Sequence, residues 1–108
     1  MELTKDQRRA LLAMCCTVAR SDGQVSTPEY ETLLELLSRY AAGAVGFSEL
    51  ERWLHEGPPE INVRFPEELI RTFLREALAL ARSDGKLEDI ELQTIKTLVT
   101  NYFETPKS

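Results

Sequence analysis

Residues 19–29 read ARSDGQVSTPE, and residues 81–91 read ARSDGKLEDIE. The first five letters are identical, and both stretches end on a glutamate. Asp-Gly after an apolar, helix-like run is typical of a helix end, because glycine readily adopts the left-handed conformation needed there. Helix-capping residues and periodic apolar residues follow each copy and indicate a second helix. The sequence therefore predicts a helix–loop–helix hairpin that occurs twice.

The predicted helix starts follow from local capping patterns. Thr4 and Gln7 form a capping-box pattern, so the first helix is predicted to begin at Lys5. Thr27 is predicted to cap the helix after the first copy, and Asp89 the helix after the second. Apolar residues at three- and four-residue spacing mark one face of each helix, as in Leu69, Ile70, Phe73, Leu74, Ala77, Leu80 and Ala81.

The segment between the two copies carries neither hairpin nor repeat. Ser48 and Glu51 suggest a capping box for a short helix, which Gly57 and the prolines after it would end. Residues 61–65, INVRF, predict an extended connector, and Pro66 is predicted to open the next helix. The linker is thus expected to contribute one short helix.

We therefore predict an all-α fold, a compact helical bundle of two pseudo-symmetric helix–DG loop–helix hairpins joined by a short linker helix. A single domain over residues 1–108 is expected, since 108 residues with 43% hydrophobic content suit one packed core. The first repeat covers about 5–41, the linker 42–65 and the second repeat about 66–103. The two hairpins are expected to bury their apolar stripes against each other.

Charge and hydropathy exclude several function classes. The formal net charge is −5, and the basic residues are scattered among acids, which argues against nucleic-acid binding. No apolar run approaches the roughly 20 residues that cross a bilayer, so we expect no membrane insertion. The start MELTKDQRRA lacks the basic-then-apolar order of a secretion signal, and a cytoplasmic location is expected.

The repeated loop offers four candidate metal ligands, Asp22, Glu29, Asp84 and Glu91. The second half of an EF-hand loop has the same order: acid, glycine, any residue, aliphatic, three residues, glutamate. Two further acidic positions would fall on Val18 and Arg20, so the first loop is no ordinary EF-hand, and the second fails in the same way. Two loops together could pool four carboxylates for a hard divalent cation such as Ca²⁺, Mg²⁺ or Mn²⁺.

A structural interpretation of the same residues stays open. Aspartate before glycine bonds backbone amides in a turn, and glutamate in the first helical turn interacts favourably with the helix dipole. Val25 and Leu87, the aliphatic residues of the two loops, would pack into the core. This interpretation requires no metal.

Two copies of Ala-x-x-Asp-Gly-x-aliphatic-x-x-x-Glu in an all-helical domain resemble the TerB family, known from bacterial tellurite-resistance operons. The related N-terminal module of a membrane-anchored DnaJ-type co-chaperone shares the pattern. The resemblance covers about residues 11–102 and implies a compact bundle whose acidic residues bind a metal. It further implies protein partners, including a membrane-associated complex, and a role in the response to toxic anions, phage or other stress.

Other residues with reactive or aromatic side chains are expected to be structural. Cys15 and Cys16 are adjacent in an apolar run, where helical neighbours point about 100° apart and a disulfide is disfavoured. Two buried thiols are therefore expected, with an exposed dithiol for soft ions as the alternative. His55 has no partner identifiable for general-base work. Trp53 is spaced for the core, with an interface anchor as the alternative.

Two function classes follow, neither of them enzymatic. No nucleophile motif, glycine-rich phosphate loop or HExxH is present, so we predict no catalytic residue and no organic cofactor. The first class is a module that binds a divalent cation through the duplicated acids and mediates protein contacts. The second is a helical interaction domain with structural acids and a working surface elsewhere, such as around Trp53. An enzyme with a carboxylate metal site is the weaker third alternative.

Overall fold

The computed structural model describes residues 3–83, 85 and 87–104. Five α-helices follow one another in this part of the chain: α1 (Lys5–Arg20), α2 (Thr27–Leu36), α3 (Phe47–Glu56), α4 (Ile70–Ala81) and α5 (Asp89–Tyr102). The same residues form no strand, apart from one isolated parallel bridge between Phe65 and Phe103. The predicted all-α class is confirmed for them.

Helix α1 lies at the centre of the bundle, and all four other helices contact it. It is buried on almost every side, and small side chains let its neighbours approach closely. Its buried residues are Ala10, Leu11, Leu12, Ala13, Met14, Cys15, Cys16, Val18 and Ala19. Helices α2 and α4 also contact each other, as do α4 and α5. The core is therefore one continuous cluster built around α1.

The capping box at the start of α1 is formed as predicted. The Thr4 hydroxyl accepts a hydrogen bond from the Gln7 amide at 3.1 Å, and the Gln7 side chain accepts one from the Thr4 amide at 3.0 Å. Two of the four amides that a helix start leaves without partners are satisfied in this way. Helix α1 begins at Lys5, where the sequence placed it.

The predicted caps of the other repeat helices are wrong by one residue. Ser26, not Thr27, caps α2, and Glu88, not Asp89, caps α5. Each observed cap stands three residues before a buried glutamate whose side chain bonds back to the cap amide. This reciprocal bond selects the cap position, because it satisfies two amides at once.

Helix α3 also begins differently from the prediction. Gly46 occupies its cap position without a side-chain bond, so the expected Ser48–Glu51 capping box is wrong. Glu51 instead accepts a hydrogen bond from the Tyr30 hydroxyl at 3.2 Å. Gly57 ends the helix with a φ of 104°, a conformation that glycine adopts without steric cost.

The linker ends in an aromatic contact with the last helix. The Phe65 amide donates to the Tyr102 carbonyl at 2.8 Å, and the Phe65 ring stacks on Phe103 with centroids 5.0 Å apart. Pro66 then leads into a 3₁₀ turn, Glu67–Leu69, so α4 starts four residues after the predicted proline. None of the helices described has the length and apolar character needed to cross a membrane.

Candidate functional site

The first DG turn is held by hydrogen bonds close along the chain. The Ser21 hydroxyl donates to the Val18 carbonyl at 2.7 Å, and the Gly23 amide donates to the Arg20 carbonyl at 3.0 Å. Gly23 has a φ of 90°, which explains the choice of glycine. The exposed Asp22 carboxylate accepts a hydrogen bond from the amide two residues later at 3.1 Å. This is the turn-stabilising role expected of aspartate before glycine.

The second DG turn repeats these bonds. The Ser83 hydroxyl donates to the Leu80 carbonyl at 2.7 Å, and the Gly85 amide donates to the Arg82 carbonyl at 2.9 Å. Gly85 has a φ of 86°, close to the value in the first turn. Asp84, the predicted counterpart of the first aspartate, lies outside the described residues. At the residues described, the repeated serine and glycine therefore make matching hydrogen bonds in the two turns.

Both repeated glutamates are buried and hold the start of a helix. Glu29 is 1% exposed, and its Oε1 accepts the Ser26 amide at 2.9 Å. Glu91 is 2% exposed, and its Oε1 accepts the Glu88 amide at 3.1 Å. A buried carboxylate is costly unless it accepts hydrogen bonds, and each of these amides donates one to an Oε1 atom. Each glutamate therefore has a defined structural function in its turn.

Three of the four predicted metal ligands lie among the described residues. Among residues 3–83, 85 and 87–104, no group of three or more His, Cys, Asp or Glu is placed to hold a metal ion. Asp22, Glu29 and Glu91 belong to that part of the chain, and Asp84 does not. The two candidates of the first turn differ in exposure, since Asp22 is exposed and Glu29 is buried. The four-carboxylate site therefore stays a prediction.

A cleft of about 700 Å³ lies between the first turn and α3. It is lined by Arg20, Gly23, Gln24, Val25, Ser26, Thr27, Tyr30, Glu51, Leu54 and His55. Partial desolvation and the hydrogen bond to Glu51 raise the pKa of Tyr30. The guanidinium of Arg20 lies against the end of α3, with Nη1 2.9 Å from the position that a Cβ on Gly57 would occupy. The linker helix thus forms one wall of the cleft.

An ion pair fixes the linker helix to α1. Arg9 bonds both carboxylate oxygens of Glu49, at 3.0 and 2.5 Å, and its Nη1 also donates to the Ala44 carbonyl at 2.7 Å. The same guanidinium lies 5.5 Å from the ring centroid of Trp53, which is buried. The hydrogen bond from Arg9 lowers the pKa of Glu49. The core interpretation of Trp53 is confirmed, and the exposed interface anchor is wrong.

The two cysteines are buried and form no disulfide. Burial raises the pKa of the Cys16 thiol to about 12, and the pKa of Cys15 is raised further by burial and by neighbouring Cys16 and Glu76. Both side chains therefore stay neutral thiols at physiological pH. The expectation of two buried thiols is confirmed, and the alternative of an exposed dithiol is wrong.

A buried carboxylate on α4 was missed by the sequence analysis. Glu76 occupies the apolar stripe of α4, between Phe73 and Leu80, and accepts a bond of 2.5 Å from Arg39. Arg39 belongs to a π-helical turn, Leu37–Ala41, that follows α2. A charged residue at core spacing is the signal that could have identified this contact.

Comparison of the chain with models of known protein families, with curated proteins and with solved structures finds no match. The resemblance to the TerB family accordingly depends on the two DG motifs and on the residues that stand within them.

Proposed function

We propose that this chain is a non-enzymatic, TerB-like helical module that binds a protein partner, and that its duplicated glutamates maintain the two turns. One observation carries the choice: Glu29 and Glu91 are both buried and both accept a backbone hydrogen bond from three residues earlier. This role accounts for the repetition of the motif without a ligand. It supports the interaction domain with structural acids over the cation-binding module.

The proposal includes a pseudo-symmetric arrangement of the two hairpins. Helix α1 contacts α2 in the first repeat, as α4 contacts α5 in the second. Across the repeats, α1 contacts α5, as α2 contacts α4. A two-fold relation between the hairpins requires these pairs of contacts, and their presence supports it. The two DG turns, with matching glycine φ values of 90° and 86°, support it locally.

Affinity capture tests the interaction function. A tagged chain incubated with native lysate is expected to retain one protein in near-stoichiometric amount. The control is Leu33→Asp, because Leu33 is fully buried and a charge there disrupts the core. Retention of nothing beyond what the disrupted control retains would contradict the interaction module.

A cation-binding module is the second candidate, favoured by the repetition of the same turn with an aspartate in each copy. In this case millimolar Ca²⁺, Mg²⁺ or Mn²⁺ should raise the melting temperature. Replacing both aspartates, Asp22→Asn and Asp84→Asn, should abolish that rise. If none of the three ions shifts the melting temperature of the wild-type chain, this candidate is excluded.

The wider biological role is a proposal by resemblance alone. Tellurite resistance, stress response and attachment to a membrane-associated complex come with the TerB-like motifs. The cytoplasmic location comes from the amino-acid sequence. Growth of a deletion strain on tellurite, compared with a strain complemented by the intact gene, tests the first of these directly. Equal growth of the two strains would remove tellurite from the proposal.

A further inference from the structure

Glu76 is a buried charge that packing does not require. In the first repeat the matching position is Met14, which is fully buried. The fold therefore accepts an apolar side chain at this place in one helix and has a carboxylate in the other. Burying a carboxylate costs free energy that an apolar residue of similar size avoids. The charge of Glu76 calls for a use other than filling the core.

The Glu76 carboxylate lies beside two surface arginines, accepting a hydrogen bond from Arg39 and standing close to Arg75. Arg39 Nη1 lies 2.5 Å from one carboxylate oxygen, and Arg75 Nε lies 3.8 Å from the other. The arginine side chains are 54% and 67% exposed, whereas the glutamate side chain is 8% exposed. The two guanidinium groups are therefore exposed to solvent, whereas the Glu76 carboxylate is almost fully shielded from it. We call Arg39, Arg75 and Glu76 the arginine clamp.

Arg39, the first arm of the clamp, belongs to a segment with an unusual backbone conformation. Arg39 lies in the π-helical turn Leu37–Ala41, and its guanidinium is 5.8 Å from the ring centroid of Tyr40. Single π-helical turns are rare and occur frequently at functional sites. The aromatic ring and the buried carboxylate together restrict the orientation of the guanidinium. The arm is thus partly fixed before any partner binds.

An apolar groove adjoins the second arm. It has a volume of about 330 Å³ and is lined by Leu3, Leu11, Tyr40, Phe65, Leu69, Thr72 and Arg75. Tyr40 is the neighbour of Arg39 in the chain, and Arg75 is itself an arm of the clamp. The groove therefore adjoins the clamp through Tyr40 and Arg75, whereas Arg39 itself lines a neighbouring surface pocket.

We propose that the groove and the clamp together form a surface that docks a segment of a partner protein in which a large apolar side chain stands beside aspartates or glutamates. The apolar side chain enters the groove, and the carboxylates bind the guanidinium groups in the two-pronged manner that arginine favours. The inference rests on the proposed interaction function, for which it supplies the surface and the chemistry of the partner.

Charge complementarity selects an acidic peptide over an anionic membrane. The chain as a whole carries a formal charge of −5, which repels an extended anionic surface. A short acidic segment can instead contact the two exposed guanidinium groups directly, on the sides of Arg39 and Arg75 that face away from exposed Glu35, which lines a surface pocket with Arg39. The groove also fits one compact side chain and not the headgroup layer of a bilayer.

Fluorescence polarisation with synthetic peptides tests the proposal. The probes are labelled peptides with a central Phe, Leu or Trp flanked by aspartate and glutamate, together with versions in which serine replaces the acids. We expect the acidic peptides to bind and the serine versions to bind at least about tenfold more weakly. Arg39→Ala and Arg75→Ala should each weaken the acidic peptides by a similar factor. Arg52→Ala, an exposed arginine on α3, is the matched control and should leave binding unchanged.

The variant Glu76→Met separates orientation from charge. It places in α4 the residue type of the first repeat and should leave the melting temperature equal or higher. It also makes the chain more positive, so a purely electrostatic attraction would strengthen. The clamp predicts the opposite, a several-fold weakening, because the Arg39 guanidinium loses the hydrogen-bond partner that orients it.

Several results would overturn the clamp. These are no binding of any acidic peptide, equal binding of the serine versions, equal effects of Arg39→Ala and Arg52→Ala, or tighter binding by Glu76→Met. Full competition by inorganic phosphate or by phosphatidylserine-containing vesicles would reveal a general anion site instead. If the Arg39→Ala/Arg75→Ala chain still retains the captured partner, the proposed interaction function is kept and the proposed docking surface is rejected. If the wild-type chain captures no partner, the interaction function itself fails.

Discussion

The two DG turns share their serine and glycine hydrogen bonds but differ in their surroundings. Each has a serine bonded back to the preceding helix, a glycine with φ near 90° and a buried glutamate at the next helix start. The first turn also faces α3 across a cleft, where Tyr30 bonds Glu51. In the second repeat the place of Tyr30 is taken by Leu92, which has no hydroxyl.

This difference separates what the repeated motif encodes from what the linker adds. The motif determines a turn through bonds between residues at most three apart. Helix α3 belongs to neither repeat, and its contacts with the first turn break the similarity of the two copies. The experiments below compare the turns, from the largest expected effect to the smallest.

Removing the repeated glutamates should have the largest effect. Glu29→Ala and Glu91→Ala each lose a helix cap and leave a cavity, so the free energy of unfolding should fall by about 1–3 kcal/mol. The two losses should agree within about 1 kcal/mol, since the two caps are alike. Urea denaturation measures them, with exposed Glu31→Ala and Gln93→Ala as controls on the same helices. A loss of stability in only one of the two variants would contradict the equivalence of the two turns.

Replacing the turn glycines should have equal, smaller effects. Gly23 and Gly85 have positive φ values of 90° and 86°, with open space where a Cβ would stand. Gly23→Ala and Gly85→Ala should therefore each cost only the backbone penalty, about 1–2 kcal/mol. Gly57→Ala, at a φ of 104°, should give a similar loss, because the atoms nearest to its Cβ position belong to the flexible guanidinium end of Arg20, which can move aside. Thermal denaturation of the three variants measures the losses, and a clearly larger loss at Gly57 would show that Arg20 cannot move aside.

The ion pair of α3 should give a pH dependence. Arg9 holds the pKa of Glu49 below its ordinary value, so the pair stabilises the fold above the ordinary glutamate pKa. This contribution should be lost as the pH falls below that value and through the lowered pKa. Because both side chains are partly exposed, the loss should stay below about 1 kcal/mol. Comparing wild type with Glu49→Gln between neutral and acidic pH measures it, and identical pH profiles would refute the assignment.

The smallest effect should come from the hydrogen bond across the cleft. Tyr30→Phe removes only the bond to Glu51, and this exposed contact should contribute less than about 1 kcal/mol. The first turn should keep its own bonds, so hydrogen exchange of the loop amides should stay slow while that of α3 rises. Faster exchange throughout the first turn would show that α3 is needed to hold it.

The residues that the sequence located correctly are those whose partners are near in the chain. Thr4 and Gln7 cap α1 as predicted because the whole contact lies within one helical turn. Ser26 and Thr27 are both good caps by residue type, and only the returning side chain of Glu29 decides between them. The helical class and the two turns were therefore predictable to within about one residue.

Contacts between distant residues were not predictable in this way. Arg39 and Glu76 lie 37 residues apart, and their pairing depends on the π-helical turn that brings Arg39 over α4. The stack of Phe65 on Phe103 likewise depends on the path of the linker. A glutamate at core spacing, such as Glu76, indicates that a basic partner exists. The sequence alone does not identify Arg39 as that partner.

The central claim is that the buried glutamates stabilise the turns without a ligand. The direct test is the free energy of unfolding of wild type, Glu29→Ala and Glu91→Ala, measured once in chelator and once in millimolar Ca²⁺, Mg²⁺ or Mn²⁺. A structural cap predicts that each variant is less stable by the same amount in all conditions. A ligand role predicts a loss that is larger with the cation than in chelator, because a ligand stabilises the fold only when it is present. That second result would contradict the account.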